Sequence, residues 1–108
     1  MGLDVFWHSE RPDPTRWESL EKTLLGSLHD GDDVLMDIVT ELPRVEFPVL
    51  AGIDPYGDTV LDSRQCTTAR AEVQEIPAWR ENAQLVSLEA LLGGCSEAPG
   101  TYVYVAGD

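Results

Sequence analysis

Two aspartates that bracket a tight turn are candidates for paired-carboxylate chemistry. Asp54 and Asp58 enclose the turn residues Pro-Tyr-Gly. Catalytic carboxylate pairs act as acid and base where a pocket and a partner group separate their pKa values. The sequence supplies no such partner group, so capping of the turn by bonds to backbone N–H groups is the simpler interpretation. The functional alternative is a solvent-facing recognition loop with Tyr56 as its aromatic anchor.

A second acidic segment surrounds a glycine and contains Asp30, Asp32 and Asp33. Such a segment is compared first with a calcium loop, which requires a ligand at its fifth position and glycine at its sixth. Counted from Asp30, these positions hold Val34 and Leu35, which cannot play either part. We therefore predict helix capping here, and no metal and no cofactor for the chain.

The nucleophiles and bases of the sequence lie in no catalytic pattern. His8 and His29 are the only histidines, and the serines occupy no Gly-x-Ser-x-Gly turn. Cys66 and Cys95 have no second cysteine or histidine at a metal-ligand or redox spacing. We predict Cys66 to be a buried small hydrophobic residue on the apolar face of a helix. The chain is therefore expected not to be an enzyme.

The charge is the dominant feature of the composition. Twenty acidic residues oppose seven basic ones, giving a formal net charge of −13 over 108 residues. Nucleic acids and anionic membranes bind basic surfaces, so neither is an expected partner. The charge serves either colloidal solubility or the attraction of a basic protein partner, and composition leaves both open. The first residues resemble no signal peptide and no apolar run could span a membrane, so we expect a cytoplasmic protein, monomeric or weakly dimeric.

The N-terminal half predicts one strand followed by two helices. Residues 3–7 are typical of a strand. Asp13-Pro14 is a typical helix start, and the following apolar stripe consists of Trp17, Leu20, Leu24 and Leu28. Gly31 can end that helix in a left-handed conformation, and Asp32 or Asp33 can cap the next. A second helix runs from Val34 until Pro43 closes it, with a strand as the alternative.

The C-terminal half predicts two more helices between strands. Residues 45–53 are an apolar run typical of a central strand, and an extended segment restarts at 59–61 after the turn. Asp62 and Gln65 form a capping box for a third helix, whose apolar stripe is Cys66, Ala69, Val73 and Ile76. Asn82 can cap a fourth helix that carries Leu85, Leu88 and Leu92 and ends at Gly93-Gly94. Residues 101–105 are typical of a final strand.

The predicted element order is β-α-α-β-(β)-α-α-β in a single domain, 1–108. Two-helix crossovers between strands favour a two-layer α+β or α/β sandwich. We expect a small mixed sheet of three or four strands with about four helices. Trp79 follows Pro77 and precedes Arg80, where it is either an interface anchor or a tryptophan packed under a loop.

The C-terminal 60 residues carry a recognisable set of elements. These are Asp-Pro-Tyr-Gly-Asp-Thr-Val after a strand, a helix with Gln near its start and Glu further on (Gln65 and Glu72 or Glu75), and a closing Tyr-x-Tyr-x-x-Gly-Asp. This set resembles a group of small, acidic bacterial proteins, several of which look like immunity proteins of polymorphic toxin systems. The positions that carry the resemblance are Asp54, Gly57, Asp58, Thr59, Val60, Gln65, Tyr102, Gly107 and Asp108. Where helices of the group carry bulky apolar residues, this chain has Thr67-Thr68-Ala69.

The resemblance implies a non-enzymatic antidote that occludes the basic groove of a toxin. The expected partner-binding residues are Asp30, Asp32, Asp33, Asp54, Tyr56, Asp58 and Trp79. An alternative from another class is a small-ligand-binding or regulatory domain, with a pocket where the central strand meets the turn. A third is a DNA mimic, which requires rows of carboxylates at phosphate-like spacing.

Overall fold

A computed structural model describes residues 2–12 and 22–107 of the chain. These residues form four strands, three α-helices and one 3-10 helix. The strands are β1 (Asp4–His8), β2 (Leu24–His29), β3 (Asp58–Asp62) and β4 (Tyr102–Ala106). The helices are α1 (Val34–Glu41), α2 (Ser63–Glu75) and α3 (Ala83–Ser96), and the 3-10 helix is Trp79–Glu81.

The four strands form one sheet in the order β2-β1-β4-β3, and every neighbouring pair is antiparallel. The expected mixed sheet is therefore wrong, while the α+β class is confirmed. The physical reason is that two helices join β3 to β4. Each helix reverses the direction of the chain, so an even number of helices returns the next strand antiparallel to the first.

One face of the sheet lies under α2 and α3 and forms the core. Residues directly opposite each other in the register share a face. Val5 lies opposite Val105, and Val103 lies opposite Leu61, and all four are buried. The helices cover them with their own buried residues, which are Cys66, Ala69 and Val73 of α2 and Leu85, Leu88, Leu92 and Cys95 of α3. Phe6 and Tyr104 point to the other face and are only half-buried.

Local sequence signals correctly predicted where α2 and α3 begin. Asp62 accepts the Gln65 N–H at 2.8 Å, and the Gln65 side chain accepts the Asp62 N–H at 2.9 Å. This is the predicted capping box. Asn82 accepts the N–H groups of Gln84 and Leu85, as its position before α3 predicted. The predicted burial of Cys66 is also confirmed, and burial together with the Cys95 thiol raises the pKa of the Cys66 thiol.

The predicted helix with the stripe Trp17 to Leu28 is wrong at its C-terminal end. Its first part, 13–21, lies outside the described residues, and Leu24–His29 is strand β2. Leu28 pairs with Val5 and Gly26 pairs with Trp7 of β1. Leucine spacing is compatible with either element, so the pairing with β1 decided which one forms.

The predicted central strand over 45–53 is also wrong, because this segment is a series of turns. Its buried residues are Phe47, Leu50 and Ile53, three apart, whereas Val45 is 95% exposed. The Ala51 N–H donates to the Phe47 carbonyl at 2.8 Å, a helical rather than an extended pattern. Glu72 of α2 holds the segment, since its buried carboxylate accepts N–H groups from Val49 and Leu50.

The predicted end of the last helix at Gly93-Gly94 is wrong, since α3 continues to Ser96. Both glycines permit close packing instead. A Cβ on Gly94 would lie 2.8 Å from the Trp7 ring, and one on Gly93 would lie 2.9 Å from the Arg70 guanidinium carbon. Arg70 donates to Glu89 of α3 at 2.6 Å, which joins α2 to α3. The order of the described elements is thus β-β-α-β-α-α-β with three α-helices, and the first part of a further predicted helix, 13–21, lies outside the described residues.

Candidate functional site

The register of the sheet brings the two acidic segments to the same end of the molecule. His29, Asp4, Ala106 and Asp58 form one row across the four strands. The first acidic segment directly follows His29, and the second ends at Asp58. With strands about 4.8 Å apart, the ends of the row are separated by about 14 Å. We call Asp4, Asp32, Asp54, Asp58 and Tyr56 the acidic end.

No lysine or arginine of the described residues pairs with the carboxylates of the acidic end, and Asp4 has a histidine neighbour, His29, at 3.0 Å. Asp32, Asp54 and Asp58 are exposed, and Asp4 is half-exposed. Within the described ranges, the arginine that forms ion pairs is Arg70 of α2. It pairs with Glu89 of α3 and with Glu97, which directly follows α3. The acidic end therefore presents an uncompensated negative field to solvent, which suits a cationic ligand.

Asp30 differs from its neighbours because its carboxylate is used inside the protein. It is only 3% exposed and accepts N–H groups from Leu35 at 3.0 Å, Met36 at 2.9 Å and Leu3 at 3.5 Å. Two of these are unpaired donors at the start of α1, so Asp30 caps that helix. We expected Asp32 or Asp33 in this role, and that expectation is wrong.

Asp33 immediately precedes α1 but makes no side-chain cap. Its φ of 58° is left-handed, the conformation that we predicted for Gly31. Its Oδ1 is buried and accepts no hydrogen bond from the described residues. Gly2 makes this packing possible, since a Cβ there would lie 2.7 Å from that oxygen and the φ of Gly2 is +121°.

The turn before β3 is organised by the side chain of Asp54. Its Oδ1 accepts the Tyr56 N–H at 2.9 Å, while its own N–H donates to Thr59 Oγ1 at 3.0 Å. A Cβ on Gly57 would lie 2.5 Å from Asp54 Oδ2, so a larger residue there would force the Asp54 side chain to shift. Tyr56 is left 78% exposed at the tip. The predicted turn capping by Asp54 is present, together with an aromatic ring open to solvent.

Residues that the sequence reasoning missed lie beside these aspartates on the sheet face opposite α2 and α3. The Tyr104 hydroxyl donates to Asp58 Oδ1 at 2.8 Å, and burial and Asp58 raise the pKa of Tyr104 to about 12. His29 Nδ1 lies 3.0 Å from Asp4 Oδ1. The Phe6 ring lies between Tyr104 and His29. Its centroid is 6.1 Å from that of the Tyr104 ring and 5.8 Å from that of the His29 ring. Strand alternation could have placed Phe6 and Tyr104 on one face, but only the strand order makes them neighbours.

Trp79 lies away from the sheet, in the 3-10 helix after α2. Its ring packs partly against the core, and the Arg80 guanidinium carbon lies 5.3 Å from its centre. It lines a groove of about 440 Å³ together with Gln74 and Glu75. A larger groove of about 580 Å³ lies between α1 and the segment 76–85, and its apolar lining includes Val34, Ile38 and Pro77. This groove lies beside α1, whereas the small-ligand alternative placed its pocket at the turn.

The remaining candidate groups for chemistry are a buried and an exposed histidine. His8 is 2% exposed and its Nδ1 lies 2.9 Å from Thr23 Oγ1, and burial lowers the pKa of His8. His29 is exposed and paired with Asp4. In residues 2–12 and 22–107, no three metal-ligating side chains converge, and no helix is both long and apolar enough to cross a bilayer.

The chain matches no family model, no curated protein and no solved structure.

Proposed function

We propose that this protein is a non-enzymatic binding protein whose acidic end occludes a basic groove on a protein partner, as immunity proteins occlude toxins. The observation that carries the proposal is the cross-strand row from His29 to Asp58, which joins two acidic segments that are distant in sequence. Their exposed carboxylates are not paired with lysine or arginine in the described part of the chain.

A basic partner supplies the charges that this surface lacks. The net charge of −13 attracts a cationic protein over a distance of about 10 Å at ordinary ionic strength. Such steering raises association rates, and desolvated anchors then slow dissociation. Tyr56 is suited to be such an anchor, since its ring is 78% exposed and its backbone is held by Asp54. Aromatic side chains of this kind are enriched among binding hot spots.

Three residues of the expected site are outside the surface proposed here. Asp33 has its Oδ1 buried beside the start of α1. Asp30 is buried and its oxygens accept three backbone N–H groups. Trp79 packs partly against the core in a different part of the fold. The proposed contact surface is therefore the acidic end alone.

The test is to co-purify the protein with the product of the gene immediately upstream and to measure protection of cells that express that product. We expect a stable complex and protection. The triple charge reversal Asp32→Lys, Asp54→Lys and Asp58→Lys should abolish both. A matched control reverses three exposed acids elsewhere, Glu41→Lys, Glu46→Lys and Glu75→Lys, with the same change of net charge.

The control separates a local surface from a general effect of charge. Equal loss in both triple variants would assign the effect to net charge and remove the acidic end as a site. Full protection by the acidic-end variant would contradict the proposal directly.

The larger groove favours a small-ligand-binding role as a second candidate. Its volume of about 580 Å³ lies in the usual range for ligand sites, and Val34, Ile38 and Pro77 give it an apolar lining. A ligand bound there would raise the melting temperature in a compound screen. The variant Ile38→Glu should then remove this rise in melting temperature, while binding of a basic partner by the acidic end stays unchanged.

A further inference from the structure

The sheet face opposite α2 and α3 carries two neighbouring aromatic rings at the acidic end. Phe6 and Tyr104 are directly paired across β1 and β4, and their ring centroids lie 6.1 Å apart. Both residues are half-buried, so part of their surface is accessible to solvent. We call Phe6, Tyr104, Asp4 and Asp58 the aromatic face.

Each carboxylate of the aromatic face retains an oxygen for a ligand. Asp4 uses Oδ1 toward His29, and Asp58 uses Oδ1 toward the Tyr104 hydroxyl. The Oδ2 atoms accept no hydrogen bond from any described residue. The two acids stand on strands β1 and β3, on either side of β4, which bears Tyr104. Both acids lie opposite Ala106, the residue next to Tyr104 on this face of β4. A cation over Ala106, beside the rings, would therefore have an acceptor on each side.

An arginine of the chain itself already occupies the next position on this face. The guanidinium carbon of Arg11 lies 5.7 Å from the centre of the Tyr102 ring. Tyr102 precedes Tyr104 by two residues on β4, so both rings point to the same face. The same sheet surface thus already holds a guanidinium over an aromatic ring, and the aromatic face offers two further rings with two free acceptors.

We propose that the aromatic face binds an arginine side chain of a basic partner, with the guanidinium stacked on Phe6 and Tyr104 and hydrogen-bonded to Asp4 and Asp58. This inference rests on the proposed function, whose partner it describes more closely. Arginine fits better than lysine because its planar group stacks on rings and donates hydrogen bonds in two directions at once. Within the described residues no lysine or arginine pairs with these two carboxylates, and Asp4 has the exposed His29 imidazole beside it.

The test compares an oligoarginine with an oligolysine peptide of equal length by calorimetric titration at low salt. We expect the arginine peptide to bind about two- to fivefold more tightly, the contribution of stacking at a partly exposed site. Replacing a ring in Tyr104→Leu or Phe6→Leu should bring the ratio of the two affinities close to one. Trp79→Leu is the matched control, since Trp79 is also half-buried but lies in the 3-10 helix, outside both the acidic end and the aromatic face, and it should keep the ratio.

Circular dichroism and the urea midpoint first establish that each variant is folded. As a second readout that tolerates some loss of stability, ring proton resonances of Phe6 and Tyr104 should shift on addition of the arginine peptide. Equal affinity of wild-type protein for both peptides, or no binding of either, would overturn the arginine site. Persistence of the ratio in both ring variants would place the site elsewhere. These results decide only about the arginine site. The proposed function is decided by the co-purification test, and it fails there if no basic protein partner binds through the acidic end.

Discussion

The two acidic segments have similar compositions and opposite roles. In the first, Asp30 is 3% exposed and its oxygens accept three backbone N–H groups. In the second, Asp54 and Asp58 are exposed, and each accepts a single hydrogen bond, from the Tyr56 N–H and the Tyr104 hydroxyl. The difference lies in the element that comes after each segment. A helix start presents unpaired N–H groups that attract a carboxylate inward, whereas a strand pairs its own N–H groups with its neighbour.

The largest expected effect is the loss of the Asp30 carboxylate. Asp30→Ala leaves two N–H groups of α1 and that of Leu3 without their acceptor, and we expect the free energy of unfolding to fall by about 3 kcal/mol. Asp32→Ala removes an exposed carboxylate two residues away and should change it by less than about 0.5 kcal/mol. Urea denaturation of the two variants measures both changes. Equal urea midpoints for the two variants would contradict the expected difference between buried Asp30 and exposed Asp32.

Glu72 is a second buried carboxylate, and it allows the comparison of buried with exposed acids to be repeated on α2. Glu72→Ala removes the acceptor for the Val49 and Leu50 N–H groups, and we expect a loss of about 2 kcal/mol. Glu75→Ala, one turn further along α2 and exposed, is the matched control and should be nearly neutral.

Hydrogen exchange adds a local measurement to the same pair of variants. The amides of Val49 and Leu50 should exchange faster in Glu72→Ala and at the wild-type rate in Glu75→Ala. Unchanged exchange at both amides would mean that the turns over 45–53 hold together without the carboxylate.

The smallest expected effect extends the comparison to the histidines. Burial lowers the pKa of His8 below 6.5, so the unfolded state binds the proton first as pH falls. The stability that neutral His8 contributes is present above pH 6.5 and is lost as pH falls toward the folded-state pKa. His8→Gln should flatten this part of the stability profile. His29→Gln, at an exposed position, should keep it, and a decline that survives in His8→Gln would have another origin.

Prediction from the sequence succeeded where the deciding interactions are local. The capping box of α2 spans Asp62 to Gln65, and the Asn82 cap reaches only to Leu85. The burial of Leu85, Leu88 and Leu92 follows from helical spacing along a single element. Each of these signals lies within four to eight residues, so the residue types alone specify it.

Prediction failed where a distant residue decided the local conformation. The apolar run 45–53 has the composition of a strand, but Glu72, more than twenty residues later, accepts its N–H groups and fixes a series of turns. Leu24–His29 has leucines at spacings that suit a helix, yet it pairs with β1. No local pattern contains these partners, because they meet only after the chain has folded.

The sequence by itself determined the acidity of this protein, the positions of its aspartates and the caps of its last two helices. Tertiary structure alone decided which of those aspartates face solvent. Asp30 is drawn inside by the open end of α1, while the antiparallel register places Asp4, Asp58 and both acidic segments at one end of the sheet. The physical reason is that residue type sets the charge of a carboxylate, whereas its exposure depends on which unpaired N–H groups the folded chain places beside it.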